Sequence, residues 1–230
     1  AMMLLMATDT GVDRRQLILD AALEIVVERG ADAVRMADVA EAAGVSLGSI
    51  QHYFRHRDGL LAEVFRYEAE RQVSTTWSDV VSSAPLERLV EYVWLCTPPG
   101  SASGTTPFEG WRFWLDFWAT ARREPQTRAV VAPVYQSFAL PFQTALEDGI
   151  SAGQFRLRGS AREVADRVIA MIDGTALRTL LGALEEDQML PLLIDGLSLE
   201  LGLDDDGAAA AHQIAQGLSD RQQARGAAEA

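Results

Sequence analysis

Between Arg35 and Tyr53, two short runs with apolar residues at helical spacing are separated by Gly44-Val45-Ser46. A glycine stop followed at once by a serine cap leaves the chain few local solutions, and this constrains the fold more than any other feature. The first run, Arg35 to Ala43, turns Val39, Ala40 and Ala43 inward, and the second, Leu47 to Tyr53, sets Ile50, Tyr53 and Phe54 on one side. Two short helices joined by a glycine turn, the second exposing small polar groups, make a helix-turn-helix. Such a second helix can enter a major groove and meet base edges. Its outward residues here are Ser46, Leu47, Ser49, Gln51 and His52. Gln can pair bidentately with adenine, and Ser or His can bond base edges or phosphates. Arg35, Tyr53 and Arg57 are expected to hold phosphates on either side, and the start of the following helix adds N–H groups beside Arg57.

The same periodicity continues along the chain and predicts an all-α fold. From Arg14 to Arg29 the inward residues are Leu17, Ile18, Ala21, Ala22, Ile25 and Val26, with Asp13 as cap and Gly30 as stop. A fourth helix is expected from Arg57 to about Val73, carrying Leu60, Leu61, Val64 and Phe65. Further helices are read from Pro85 to Cys96, Pro107 to Arg123, Pro125 to Gly149, Ser160 to Leu181 and Glu185 to Leu201. Pro141 should kink or split the helix that contains it. Thr97 to Thr106 reads as a loop, and the residues after Asp204 as a tail that frays as a helix. The expected organisation is a leader over 1–12, a helix-turn-helix domain over 13–57, a helical ligand-binding and dimerisation domain over 58–203, and the tail.

A net charge of −13 looks hostile to nucleic acid, but local charge decides. Residues 1–57 carry six arginines against eight carboxylates, so most of the acidity lies elsewhere. There is no lysine, which lessens the meaning of arginine at any one position. One cysteine, Cys96, excludes an internal disulfide and a multi-thiolate site, and His52, His56 and His212 are too few for a histidine cluster. No metal or cofactor is expected. No run approaches the length of a membrane helix, so a cytoplasmic protein without membrane contact is expected.

The stretch from Arg15 to Phe65 resembles the N-terminal domain of TetR-family transcriptional regulators. The resemblance is carried by Ile18-Leu19-Asp20-Ala21-Ala22, Glu28-Arg29-Gly30, and Val39-Ala40-Glu41-Ala42-Ala43-Gly44-Val45-Ser46. It continues through Gly48-Ser49-Ile50 and His52-Tyr53-Phe54 to Asp58-Gly59-Leu60-Leu61. Arg35 stands where the family usually has Thr or Ser, Arg57 where it has Lys, and Gln51 where it often has Tyr. The resemblance implies a homodimeric repressor on a near-palindromic operator, with a small-molecule effector and no enzyme activity. It also implies that the last two long helices pair with their twofold mates. Val164, Val168, Ile172, Leu180 and Leu181, with Leu192, Leu193, Leu197 and Leu201, could supply that interface or an ordinary core.

All five tryptophans follow residue 76, and Trp111, Trp114 and Trp118 share one helical face, with Phe113 and Phe117 beside it. With Tyr92, Trp94, Tyr135, Phe138 and Met171 they are expected to line an apolar effector pocket, although large aromatics also fill cores. Glu109, Asp116 and Asp173 near that wall leave two effectors open, a neutral apolar molecule or a cation held by rings and carboxylate. Two competing classes remain. Gly44-Val45-Ser46-Leu47-Gly48 matches the G-x-S-x-G pattern of a serine hydrolase, but that motif needs a strand before Ser46. The bulk acidity would also suit a helical adaptor that no longer binds DNA.

Overall fold

Asp13 accepts a hydrogen bond from the Arg15 backbone N–H at 2.9 Å, and this cap opens α1 (Arg14–Arg29). The computed structural model describes residues 13–97 and 107–229. The leader expected over 1–12 and most of the loop expected up to Thr106 lie outside the described residues. Helix α1 buries Ile18, Leu19, Ala21, Ala22, Ile25 and Val26, whereas Leu17 is exposed. A single 3₁₀ turn, Ala31–Ala33, then leads to α2 (Met36–Ala42) and α3 (Leu47–Tyr53). Arg35 is the residue before α2, not its first turn.

The connection between α2 and α3 explains the glycine. Gly44 has φ +64°, where a Cβ would be strained. Its N–H donates to the Glu41 carbonyl at 3.1 Å, and the Val45 N–H reaches back to Ala40 at 3.0 Å. These two bonds satisfy carbonyls that the end of α2 would otherwise leave open. Ser46 Oγ accepts from the Ser49 N–H at 3.1 Å and caps α3. Ser46 therefore follows a helix and a turn, and the G-x-S-x-G run is a helix stop and cap without the preceding strand that a nucleophile elbow requires.

Helix α4 (Arg57–Asp79) runs past the expected end at Val73. It is followed by α5 (Pro85–Leu95), α6 (Pro107–Arg123) and α7 (Pro125–Ser151). Pro133 and Pro141 both lie inside α7 and neither splits it. Each removes one hydrogen bond, while Val134, Phe142, Ala145 and Leu146 are buried along the same helix and hold it. Helix α8 (Ala161–Leu180) starts in a reciprocal cap: Ser160 N–H donates to Glu163 at 2.9 Å, and Glu163 N–H donates to Ser160 Oγ at 3.3 Å. Helices α9 (Glu186–Leu201) and α10 (Asp205–Glu229) complete the chain. Among the described residues no helix is long and apolar enough to cross a membrane.

The chain divides into two compact units. The first comprises residues 13–68 with Asp116–Val130, so it exceeds the expected 13–57 domain and takes in the second half of α6. Its buried residues include Ile18, Leu19, Val39, Ile50, Leu60 and Phe65, and Phe117 of α6 lies 5.1 Å from Phe65 between ring centroids. The second unit holds residues 69–97, 107–115 and 131–229. Its core joins Leu89, Val93, Phe142, Leu146, Val164, Val168, Ile172, Leu193, Leu197 and Leu201. Most of the α8 and α9 residues that could have served an interface are thus interior to the chain itself. Leu181, Leu192 and Leu199 remain outside, at 69%, 43% and 62% exposure.

Residues after Asp204 do not form a loose tail. Ala211, Ala215 and Leu218 fall at helical spacing on α10 and are buried against the core of the second unit. Helix α10 packs on α5 and α9.

Candidate functional site

In the first unit, α3 presents Leu47, Gln51, His52 and Tyr53 as exposed side chains, with Ser46 at its cap and Ser49 half-buried. Ile50 on the opposite side is fully buried and fixes the helix to the layer behind. The rings of His52 and Tyr53 meet edge to face with centroids 5.3 Å apart. Arg35 is exposed ahead of α2. This is a polar face on a rigidly packed helix, which is what reading base edges requires.

Arg57 is placed differently. Its Nε donates to the Val34 carbonyl at 2.9 Å, one terminal nitrogen to the Ala31 carbonyl at 2.8 Å, and the other to Glu124 at 3.2 Å. The guanidinium is engaged inside the unit, so it positions the turn before α2 rather than reaching outward. Arg55 and His56, not singled out in the sequence, are exposed and rim a groove of about 560 Å³ together with Tyr53 and Phe54. The signal was available: both flank the end of α3, but neither fell on an apolar-periodic stripe. Nearby, Arg15 pairs with Glu63, and its guanidinium also stands 5.5 Å over the Phe54 ring. The neighbouring Arg66 and Arg15 hold the Glu63 carboxyl below its ordinary range.

In the second unit the aromatic residues divide into two kinds. Trp94 is core: it is buried, and its indole N–H donates to Ser219 of α10 at 3.1 Å. Met171 packs its sulfur over Gly196, where a Cβ would come within 2.7 Å of it, and so faces α9. Trp111 is half-buried against the same core. Asp116, Phe117 and Trp118 correct the expected single wall, because they belong to the first unit although α6 is one helix. Asp116 accepts from the Ala31 N–H at 3.4 Å, and burial raises its carboxyl above the ordinary range. The side chain of Glu109 lies outside the described residues.

The remaining rings form two sets. Trp77 of α4 stacks on Tyr92 of α5 with centroids 4.6 Å apart, and Tyr92 meets Phe142 of α7 at 5.3 Å. Trp114 of α6 meets Phe138 of α7 edge to face at 5.4 Å, and its indole N–H donates to Gln72 at 3.1 Å. One turn before Phe138, the Tyr135 hydroxyl donates to Asp173 of α8 at 2.6 Å. Burial pushes the Asp173 carboxyl up to about 6, against the lowering effect of the Tyr135 bond. The Tyr92 hydroxyl and the Cys96 thiol both lie within reach of the Asp173 charge. Burial, helped by Asp173, pushes Cys96 up to about 12, so this thiol is a core group and a poor nucleophile. Gln72, Trp77 and Phe142 lie outside the ring-rich segment of α6 and have their partners on other helices, so helical spacing alone does not pick them out.

Comparison with known proteins bears on both units. Residues 18–64 match the bacterial regulatory proteins of the tetR family, and residues 102–192 match the C-terminal part of BetI-type transcriptional repressors. The HTH-type transcriptional regulator BetI of Serratia proteamaculans is 30% identical over 200 residues, covering 82% of this chain and 92% of that protein. The chain belongs to the TetR family. This TetR-family regulator, with its BetI-type C-terminal part, is also 30% identical over 180 residues to the BetI regulator of Paraburkholderia phymatum, covering 76% of this chain and 83% of that one. A putative TetR-family regulator from Rhodococcus sp. has the same fold, with a TM-score of 0.68, 22% identity, and coverage of 82% and 98% of the two chains. A putative transcriptional regulator from Saccharomonospora viridis, solved in complex with choline, aligns with a TM-score of 0.62 at 26% identity, covering 79% of this chain and 93% of that one.

Proposed function

We propose that this TetR-family repressor binds a near-palindromic operator as a homodimer and is released by a quaternary ammonium compound related to choline. The observation that carries the effector is the half-buried Asp173 carboxylate, which accepts from Tyr135 and whose charge acts on Tyr92 in the stacked and edge-packed rings. A quaternary ammonium cannot donate a hydrogen bond, so it is recognised by ring faces and a nearby negative charge. The choline bound by the Saccharomonospora viridis protein supports the same chemistry here. A neutral apolar effector would leave a desolvated carboxylate without a partner charge.

Ser46, Leu47, Ser49, Gln51, His52 and Tyr53 would meet the major groove and its phosphates, with Arg35, Arg55 and His56 adding backbone contacts. Arg57 would act by holding the frame. Leu192 and Leu199, seven residues apart on one face of α9, with Leu181 after α8, offer apolar surface for a second copy. Helix α4 carries residues of both units, Arg57 at its start and Trp77 near its end, so ligand-dependent movement of that helix would reach the DNA-binding unit through the chain itself. A coupling of about 1–3 kcal/mol is enough to empty an operator.

A mobility shift with DNA from the regions flanking the gene tests this directly. A specific complex should form at low salt, weaken steeply as salt rises, and dissolve when choline is added. Absence of any specific complex without ligand would refute the repressor, and a complex indifferent to choline and related quaternary amines would refute the effector.

A further inference from the structure

The indole N–H of Trp77 is buried and meets no hydrogen-bond acceptor among the described residues. The contrast with its neighbours is informative. The Trp94 N–H is taken by Ser219 and the Trp114 N–H by Gln72, each at 3.1 Å. A buried donor left unmade forfeits its hydration without recompense, and native proteins rarely leave one without a functional or solvent partner. Trp77 is not in a remote corner of the core: its ring is stacked at 4.6 Å on Tyr92, whose hydroxyl feels the Asp173 charge.

We infer that the Trp77 indole N–H donates to a neutral oxygen of the bound effector, making Trp77 a specificity-determining residue that selects hydroxylated quaternary ammonium compounds over their alkyl analogues. The inference rests on the quaternary ammonium reading given above and adds a second recognition point to it. The rings and Asp173 take the cationic end, while Trp77 takes the oxygen. A hydroxyl suits this donor better than a carboxylate, because Asp173 already places negative charge beside the Trp77–Tyr92 pair and would oppose a second anion. The selectivity arises because an analogue lacking the oxygen would seal the donor into an apolar contact without a partner.

The test compares choline with ethyltrimethylammonium, which differs only in lacking the oxygen, by calorimetric titration of the full chain and its Trp77→Phe variant. Phenylalanine keeps the ring face and removes only the donor and part of the indole. The wild-type chain should prefer choline by at least about tenfold. In Trp77→Phe that preference should collapse, with choline falling to the level of ethyltrimethylammonium and the latter changing by less than about threefold. Equal affinity of the wild type for both ligands, or a preference that survives in the variant, overturns the inference and leaves the cation reading standing. Failure of both ligands to bind the wild type overturns the two together. A second readout needs no variant: the ¹⁵N-labelled indole resonance of Trp77 should move downfield with choline and not with ethyltrimethylammonium, and the absence of that difference counts against the inference.

Discussion

The Tyr135 hydroxyl donates to Asp173 at 2.6 Å, joining α7 to α8 at a carboxylate that burial has pushed up to about 6. The bond steadies the ionised form and the burial opposes it, with burial the larger effect. The group is therefore poised to change charge near neutral pH.

If a cationic effector binds only when Asp173 is ionised, affinity should follow its titration. Binding should be level above about pH 7 and fall roughly tenfold between pH 8 and pH 5, as protonation competes with the ligand. Asp173→Asn should bind more weakly at pH 8 and show no such dependence across that range. Titrations at four or five pH values measure both. A slope that persists in the variant would assign the dependence to another group.

The same residue makes an opposite prediction for the ligand-free protein. Its folded pKa is above the usual carboxylate value, so its contribution to stability is full at about pH 4 and is lost as pH rises through about 6. Asp173→Asn keeps an oxygen for Tyr135 and removes the charge. Thermal melts should show it more stable than the wild type at pH 8, by roughly 2–5 °C, and equal at pH 4. A variant that binds effector worse and melts higher would mark Asp173 as a group retained for function at some expense of stability.

Arg57 satisfies two backbone carbonyls, Val34 and Ala31, and one carboxylate, Glu124. Arg57→Ala leaves three acceptors without this donor and should destabilise the protein by about 2–4 kcal/mol in urea titrations. Arg57→Lys should recover only part of this, because a single ammonium cannot reproduce a planar fork with separated donors. Operator affinity should fall with stability, and its salt dependence should keep the wild-type slope. Losing about one unit of slope would instead show a direct phosphate contact.

How far the sequence disclosed the fold follows from where its signals are local. Asp13, Gly44, Ser46 and Ser160 act on backbone groups a few residues away, and the structure puts each at the helix end that its chemistry implies. The exposed side of α3 was legible for the same reason, since a seven-residue helix capped at Ser46 with Ile50 buried has only one outer face. Long-range choices were not legible. Nothing near Arg57 says that its partners are carbonyls more than twenty residues away. Helical spacing put Trp114 and Trp118 on one stripe, but it could not say that the chain divides into its two units between Leu115 and Asp116. The stack of Trp77 on Tyr92 is not legible either, since the two rings are on different helices and such pairing leaves no periodic trace.

The alanine-rich segment after Asp204 carries the last test, because weak amphipathicity concealed a structural helix. Ala211, Ala215 and Leu218 of α10 are buried, and Ser219 accepts the indole N–H of Trp94, which lies two residues from Tyr92 on α5. Ser219→Ala should leave that donor unmet and lower stability by about 1–2 kcal/mol, with the denaturant slope unchanged. Truncation after Asp204 should do far more, since it uncovers the apolar faces of α5 and α9 on which α10 packs. The shortened chain should expose dye-binding hydrophobic surface, melt at least about 10 °C lower and lose effector binding, because α5 carries Tyr92. A truncated protein that melts and binds like the full chain would reduce α10 to a dispensable appendage.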